Sequence, residues 1–539
     1  MSSRVQTRRR PVVGSGRCTG DEPEPYIRRM RYLALLLALA LGAAGSLAAQ
    51  SEGGRYQPIS AWTAPYVEHL IRAGVIRDPD PLTRPLRRAA LARALRDADT
   101  ASAGTAVRGV VRLLSREFEA PESDSVRWHV EASLGALAAS DARRWAERPA
   151  ADSAGLFPIG GLEGALEMPH LTLVTHLVLD NRLKYDPDYW GRKDRALAGR
   201  TSQAYALGSW RYADLFLGTE DRNLGPTDVI GLAVSPSPYA FEHLFVRLGP
   251  PRLRLELLAT QLDALAPWDS VTTAVRYFSL HRLVASPTDR LTFSLFETAV
   301  YTKVDGVVRS WEPWALSLVN PFYVSQYTGP EMNANLGLGA DASYRVGRGN
   351  RVFGQVFIDD LQIDRADSLD KEPPGYALTV GASGGLARGS LSWTALYTRV
   401  TNLTYRTARR EEQYTRYGVG LGRDYSDCDQ ATLRISAAAV PRALVTGEIT
   451  VIRQGEGDIR DRFPPVAAYA DSLTFLTGVV ERTVRLAAQA AWTPRPDFTL
   501  SVDLGRHFVS NAGHVDGASE GRWVWRVRGE LRRRYSGTI

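Results

Sequence analysis

Ser279 and His281, two residues apart in FSLHRL (278–283), supply a hydroxyl and an imidazole, the materials of nucleophilic catalysis. On an extended segment both point to one face. With a rise of about 3.3 Å per residue they stand about 7 Å apart, too far for a direct hydrogen bond. No third member is fixed by the spacing, so the pair does not by itself make a hydrolase. His129, His170, His176, His243, His507 and His514 show no metal-ligand spacing. The chain is therefore expected to be no enzyme and to carry no metal or cofactor.

Other residues suit recognition better than catalysis. Segment 302–333 gathers Trp311, Trp314, Tyr323 and Tyr327 with Glu312, Asn320 and Gln326. Aromatic faces of that kind stack on sugar C–H surfaces, and such polar groups read hydroxyls. An interfacial girdle with ordinary loop packing explains the same residues. Pro313 and Pro321 point to a folded loop that turns inward and narrows whatever it covers. Asp359, Asp360 and Asp364 offer oxygen ligands to a hard cation or to hydroxyls, or are solvated charge where a strand ends. Glu220, Asp221, Arg222 and Asn223 precede Gly225-Pro226; Arg222 suits an anionic sugar, and a turn with internal ion pairs is the plainer reading.

The elements carrying these residues change character near Val126. Before it, Tyr66, Val67, Leu70 and Ile71 share a helical face that ends at Gly74. Thr83 reads as the N-cap of a second helix with Leu86, Leu91 and Leu95, and Val107 to Phe118 form a third. After it, apolar and polar residues alternate over 126–134, 169–180, 203–217, 252–262, 274–284, 290–301, 334–346, 375–386, 389–399, 430–440, 443–453, 479–493, 497–508 and 521–535. Many of these runs reach ten residues, the length that crosses a bilayer when tilted, whereas soluble strands average five or six. Tight turns such as 249–252, 286–289, 347–350, 387–389, 441–443 and 494–497 alternate with long polar connections. That asymmetry predicts an all-β outer-membrane barrel of about 16 to 18 strands, with 155–168, 229–235 and 415–422 undecided. In the last run Arg533 falls on the otherwise apolar lipid side, and Trp210, Tyr212, Trp393 and Trp492 read as interfacial girdles.

Export is read from the start of the chain. Arg28, Arg29 and Arg31 precede the apolar run Tyr32–Leu41, and small residues follow to Ala49, the layout of a secretory signal peptide. Met30 reads as an alternative start. Residues 1–49 hold eight arginines and three acids, so most of the net charge of +7 belongs to the leader and nucleic-acid binding is not expected. The expected domains are 1–49 leader, 50–122 periplasmic helical domain and 123–539 barrel. No stretch after residue 50 is apolar for the eighteen residues a spanning helix needs. Cys428 is the one cysteine after the leader, which rules out an internal disulfide pair in the exported chain.

The ordered motifs GTEDRNLGPTDVIGLAVSPSP (218–238), FSLHRL (278–283), VNPFY (319–323) and RVFGQVFIDDLQID (351–364) resemble the capsule assembly (Wzi) family of outer-membrane proteins. The resemblance implies an eighteen-stranded barrel with a periplasmic helical domain in the bacterial cell outer membrane. It also implies a lectin-like role without chemistry. The partners it implies are outer-membrane lipid, capsular or other surface polysaccharide and polysaccharide export machinery, with the barrel itself monomeric. Leu224 stands where it implies a tryptophan. AWTAPYVEHLIRAGVI and LTRPLRRAALARAL are similar to an S-layer homology repeat, a wall-polymer module, although Ala90 replaces its acidic residue. The rival expectation is a porin-like channel for small solutes.

Overall fold

The computed structural model describes residues 54–101, 103–119, 125–150, 153–303, 321–322, 334–347, 349–360, 375–464 and 475–539. Eighteen antiparallel strands close into one barrel. In chain order they are β1 (Arg127–Ala139), β2 (Gly155–Glu167), β3 (Leu171–Asp180), β4 (Gly199–Ser209), β5 (Ala213–Glu220), β6 (Phe241–Leu248), β7 (Leu253–Leu265), β8 (Ala274–Ala285) and β9 (Leu291–Lys303). The second half comprises β10 (Ala334–Val346), β11 (Asn350–Asp360), β12 (Gly375–Leu386), β13 (Leu391–Val400), β14 (Cys428–Val440), β15 (Ala443–Gln454), β16 (Glu481–Arg495), β17 (Phe498–Ser510) and β18 (Ser519–Thr538). Pairing of β18 with β1, from Arg127↔Thr538 to Ala139↔Arg526, seals the ring and leaves no open edge.

The period of two decides which side meets lipid. On β11, Arg351, Phe353, Gln355 and Phe357 are buried inside, and Val352 is exposed outside. On β18, Trp523, Trp525, Val527, Leu531 and Tyr535 are exposed along the outer face. In water such a band would drive aggregation; in hydrocarbon it is the matched surface. Arg533 fits once the register is known. Leu531 lies opposite Phe498 at the start of β17, so Arg533 sits past the level of the short turns, at the membrane rim.

Connections alternate in length as the sequence implies, but one run is divided differently. The run 203–217 is two strands, β4 and β5, folded at Trp210-Arg211-Tyr212. The aromatics of that turn hid it from the alternation. Strand β6 was missed, and neither 229–235 nor 415–422 is a wall strand. Leu224 and Val234 instead form a bridge, and Thr415–Arg416 pairs with Val419–Gly420 in a separate small hairpin.

Among the described residues, three helices precede the barrel: α1 (Ala64–Arg72), α2 (Arg88–Arg96) and α3 (Thr105–Phe118). Their apolar faces form one core that continues onto Ala438 and Leu444 of the wall, so they seat at the short-turn end. Tyr66 donates to the Arg442 carbonyl at 2.9 Å. Thr83 is not an N-cap. Pro85 disfavours the helical region for Arg84, and Thr83–Arg84 pairs in extended form with Asn223–Leu224, deferring α2 to Arg88.

His69 is fully buried where α1 meets the wall. Its Nε2 lies 3.1 Å from the Gly389 carbonyl and its Nδ1 2.9 Å from Ser392 Oγ. The carbonyl requires an N–H, so the neutral ring carries its proton on Nε2 and accepts from the serine. Burial and then the Arg72 charge hold its pKa down to about 4, against the pull of the Gly389 carbonyl. A freed ring protonates below about 6.5, the docked ring only near 4. Docking of α1 is therefore at full strength above that higher value and weakens as pH falls towards 4, by about 3 kcal/mol in all. Hydrogen exchange of the α1 amides, compared at neutral pH and at acid pH, should show this loss of protection, and His69→Asn should abolish the pH dependence.

Candidate functional site

Segment 78–87 runs from the helices into the lumen, where its charges are met by the wall. Arg282, fully buried on the inner face of β8, donates to the Leu82 carbonyl at 2.9 Å and to Thr83 Oγ1 at 3.1 Å. The same guanidinium pairs with Glu256 at 2.9 Å and Asp341 at 3.2 Å. Asp80 takes Arg254 at 2.7 Å and Arg247 at 3.2 Å. Asp78 takes Arg84 and Arg351, each at 3.1 Å. A buried charge is tolerable only when paired and hydrogen-bonded, so this lattice fixes the segment's position.

The long-loop end sends two segments inward to meet it. Loop 221–240 supplies Asn223–Leu224, paired antiparallel with Thr83–Arg84. Gly225 there has φ +152°, and a Cβ would stand 2.8 Å from Gln355 Oε1, so the loop reaches the wall only with glycine. Loop 401–427 packs on it: Ser235 N–H donates to the Leu421 carbonyl at 2.8 Å, and the Tyr405 and Tyr414 hydroxyls donate to the Leu232 and Ala233 carbonyls at 2.6 and 3.0 Å. Tyr405, Tyr414, Phe357, Phe278 and Phe296 complete an apolar core inside the barrel. The described residues thus cross the lumen from both ends and interlock.

This arrangement relocates several residues singled out above. Asp221, Arg222 and Asn223 are buried in the lumen, not on an outer surface. Asn223 bonds within its own loop, to Gly231 N–H and the Val229 carbonyl, which favours the turn reading. Arg222 donates through Nε to His243 at 2.7 Å and lies over Phe245 and Phe216 at 4.2 and 4.5 Å. Asp359 is no solvated strand end: it is buried and accepts the Tyr405 N–H at 2.6 Å, because an odd position on β11 faces inward. Asp360 ends the strand, and its side chain lies outside the described residues, as do Trp311, Trp314, Tyr323, Tyr327, Glu312, Asn320, Gln326 and Asp364. Of segment 302–333, Phe322 is described, and it does not turn inward. It stacks on His281 at 4.1 Å, on the outer face of the wall. Ser279 and His281 share that outer face, and His281 pairs through Nδ1 with Glu297 at 2.9 Å.

An aromatic surface that sequence reading missed stands at the long-loop end. Trp190, in the β3–β4 loop, stacks on Tyr417 with centroids 4.8 Å apart and planes at 16°. Both remain half-exposed, at 43% and 47%. Arg416 lies about 5 Å from each ring, at 5.1 and 5.0 Å, and pairs with Glu242. The Tyr417 N–H donates to Asp263 at 2.7 Å, which fixes the hairpin tip against β7. A flat, rigid aromatic slab bordered by charged groups suits a sugar ring. No spacing signal existed to find it, because the two rings are 227 positions apart.

The closed strand ring, the exposed apolar band and the asymmetric loops define a bacterial outer-membrane β-barrel, with its long loops on the outside of the cell. No family model and no curated protein matches the sequence. Among solved structures the chain is similar to Wzi of Escherichia coli, an outer-membrane protein involved in group 1 capsule assembly and described as a carbohydrate-binding β-barrel. The two share 12% identity and a TM-score of 0.56, over 90% of this chain and 99% of that one. Looser likenesses are to OccD3 (OpdP) of Pseudomonas aeruginosa, at 11% identity and TM-score 0.43 over 77% and 92% of the chains. OccAB4 of Acinetobacter baumannii gives 8% and 0.45 over 77% and 99%. The first likeness is one of fold.

Proposed function

We propose that this barrel holds capsular or other surface polysaccharide at its extracellular loops, as a lectin does and without chemistry. The observation that carries the reading is the half-exposed Trp190–Tyr417 slab, set rigidly on a barrel whose lumen is occupied. A stacked aromatic pair held half-exposed among charged groups presents a flat face that a ligand can cover. A sugar ring covers it well, since its C–H face stacks while its hydroxyls reach the neighbouring charged groups. The Wzi likeness supports the same reading at the level of fold. Segments 78–87, 221–240 and 401–427 crossing the lumen weigh against a solute channel. The test is retention: the purified barrel on a gel-shift or surface-binding assay should hold the polysaccharide of its own cell surface and release it to excess free oligosaccharide. Failure to retain any surface polymer would overturn the reading.

A further inference from the structure

A second concave surface lies at the opposite end of the barrel, beneath the short turns. There a cleft of about 450 Å³ opens between α3 and the rim of the wall. Arg112 and Arg116 line it from α3, Arg442 from the β14–β15 turn, and Arg532 and Arg534 from the inner face of the end of β18, with Arg533 between them at its outer rim. Three acids line it as well, and two of them are already engaged: Arg534 takes both Glu117 and Glu131 at 2.7 Å. Glu117 also holds Arg88 at 3.1 Å. The third, Asp497, has Arg495 at 3.7 Å. Among the described residues, Arg112, Arg116, Arg442, Arg532 and Arg533 have no carboxylate in salt-bridge contact. Arg532 is oriented by Thr499 at 3.0 Å and by the Trp62 ring at 4.5 Å. The cleft is cationic in excess and pre-formed.

Its position names the source of the anion. Arg533 projects from the outer face between Leu531 and Tyr535, which are 51% and 65% exposed. Trp128, also outward, stands opposite Gly537 on the neighbouring strand. Tryptophan, tyrosine and arginine together at the end of an apolar band mark headgroup depth. Guanidinium groups bind phosphate oxygens in paired fashion, and basic clusters at that depth attract anionic lipid. We infer that this cleft binds the phosphate headgroup of an anionic phospholipid in the leaflet that faces the short turns.

The probe is the full chain in neutral detergent, titrated with dioleoyl-phosphatidylglycerol, dioleoyl-phosphatidylcholine or inorganic phosphate and read by native mass spectrometry. Phosphatidylglycerol should be retained at a roughly tenfold lower concentration than phosphatidylcholine. Arg112→Gln/Arg116→Gln/Arg533→Gln should erase that preference, with Arg116→Gln and Arg533→Gln singly as reserves. Arg192→Gln/Arg195→Gln, at the other end, should keep it. The inference fails if the two lipids are held equally, or if the preference survives in the variants. It also fails if millimolar inorganic phosphate displaces the lipid, which would make the cleft a site for a soluble anion.

Discussion

Arg282→Ala should lower the stability of the folded barrel by about 3–5 kcal/mol, the cost of leaving buried charge without its partner. The guanidinium is fully buried and serves two carboxylates, two side-chain hydroxyls and one carbonyl: Glu256, Asp341, Thr83, Ser294 and Leu82. Truncation orphans Asp341 most severely, since Glu256 retains Arg247 at 3.0 Å and Arg254 at 2.9 Å. Adding Asp341→Asn to Arg282→Ala should therefore recover part of the loss, whereas Arg282→Lys should not, because one ammonium cannot reach partners on three sides. Urea titration of the heat-modifiable folded band measures all three. Equal stability of Arg282→Ala and the parent would show that the lattice contributes nothing to seating segment 78–87.

The second large effect concerns the outer surface. Trp190→Ala with Tyr417→Ala should weaken polysaccharide retention by about 2 kcal/mol, roughly 30-fold, the scale of an aromatic hot spot. Stability should barely change, because both rings are half-exposed. The parent and the double variant, compared in the same binding assay with the folded band as control, separate recognition from folding. Unchanged retention would remove the slab from the proposed site.

The wall was legible because lipid imposes a strict period of two on every strand that crosses it. Trp523, Trp525, Val527 and Leu531 show it plainly. Strands β4 and β5 merged in the reading because Trp210 and Tyr212 continue the apolar alternation through a turn. Segment 229–235 stayed undecided because its apolar run suits a strand as well as what it is, part of a loop folded inward and largely buried there. The lumen was the less legible half. Asp359 and Arg222 read as surface charge, since nothing local announces that loops 221–240 and 401–427 will meet inside the barrel. Likewise Thr83 has a good N-cap side chain, and only its pairing with Leu224, far along the chain, shows why it is used otherwise. The Trp190–Tyr417 slab belongs to the same kind: it is made by tertiary contact between two loops and leaves no trace in spacing.

Filling of the lumen from both ends is the claim on which the surface role rests, and planar-bilayer recording of the purified full chain tests it most directly. Insertion should produce no sustained conductance steps, and deletion of 78–86 together with 226–233 should introduce them. Steady, large openings from the unaltered protein would contradict that claim and return the barrel to the channel class.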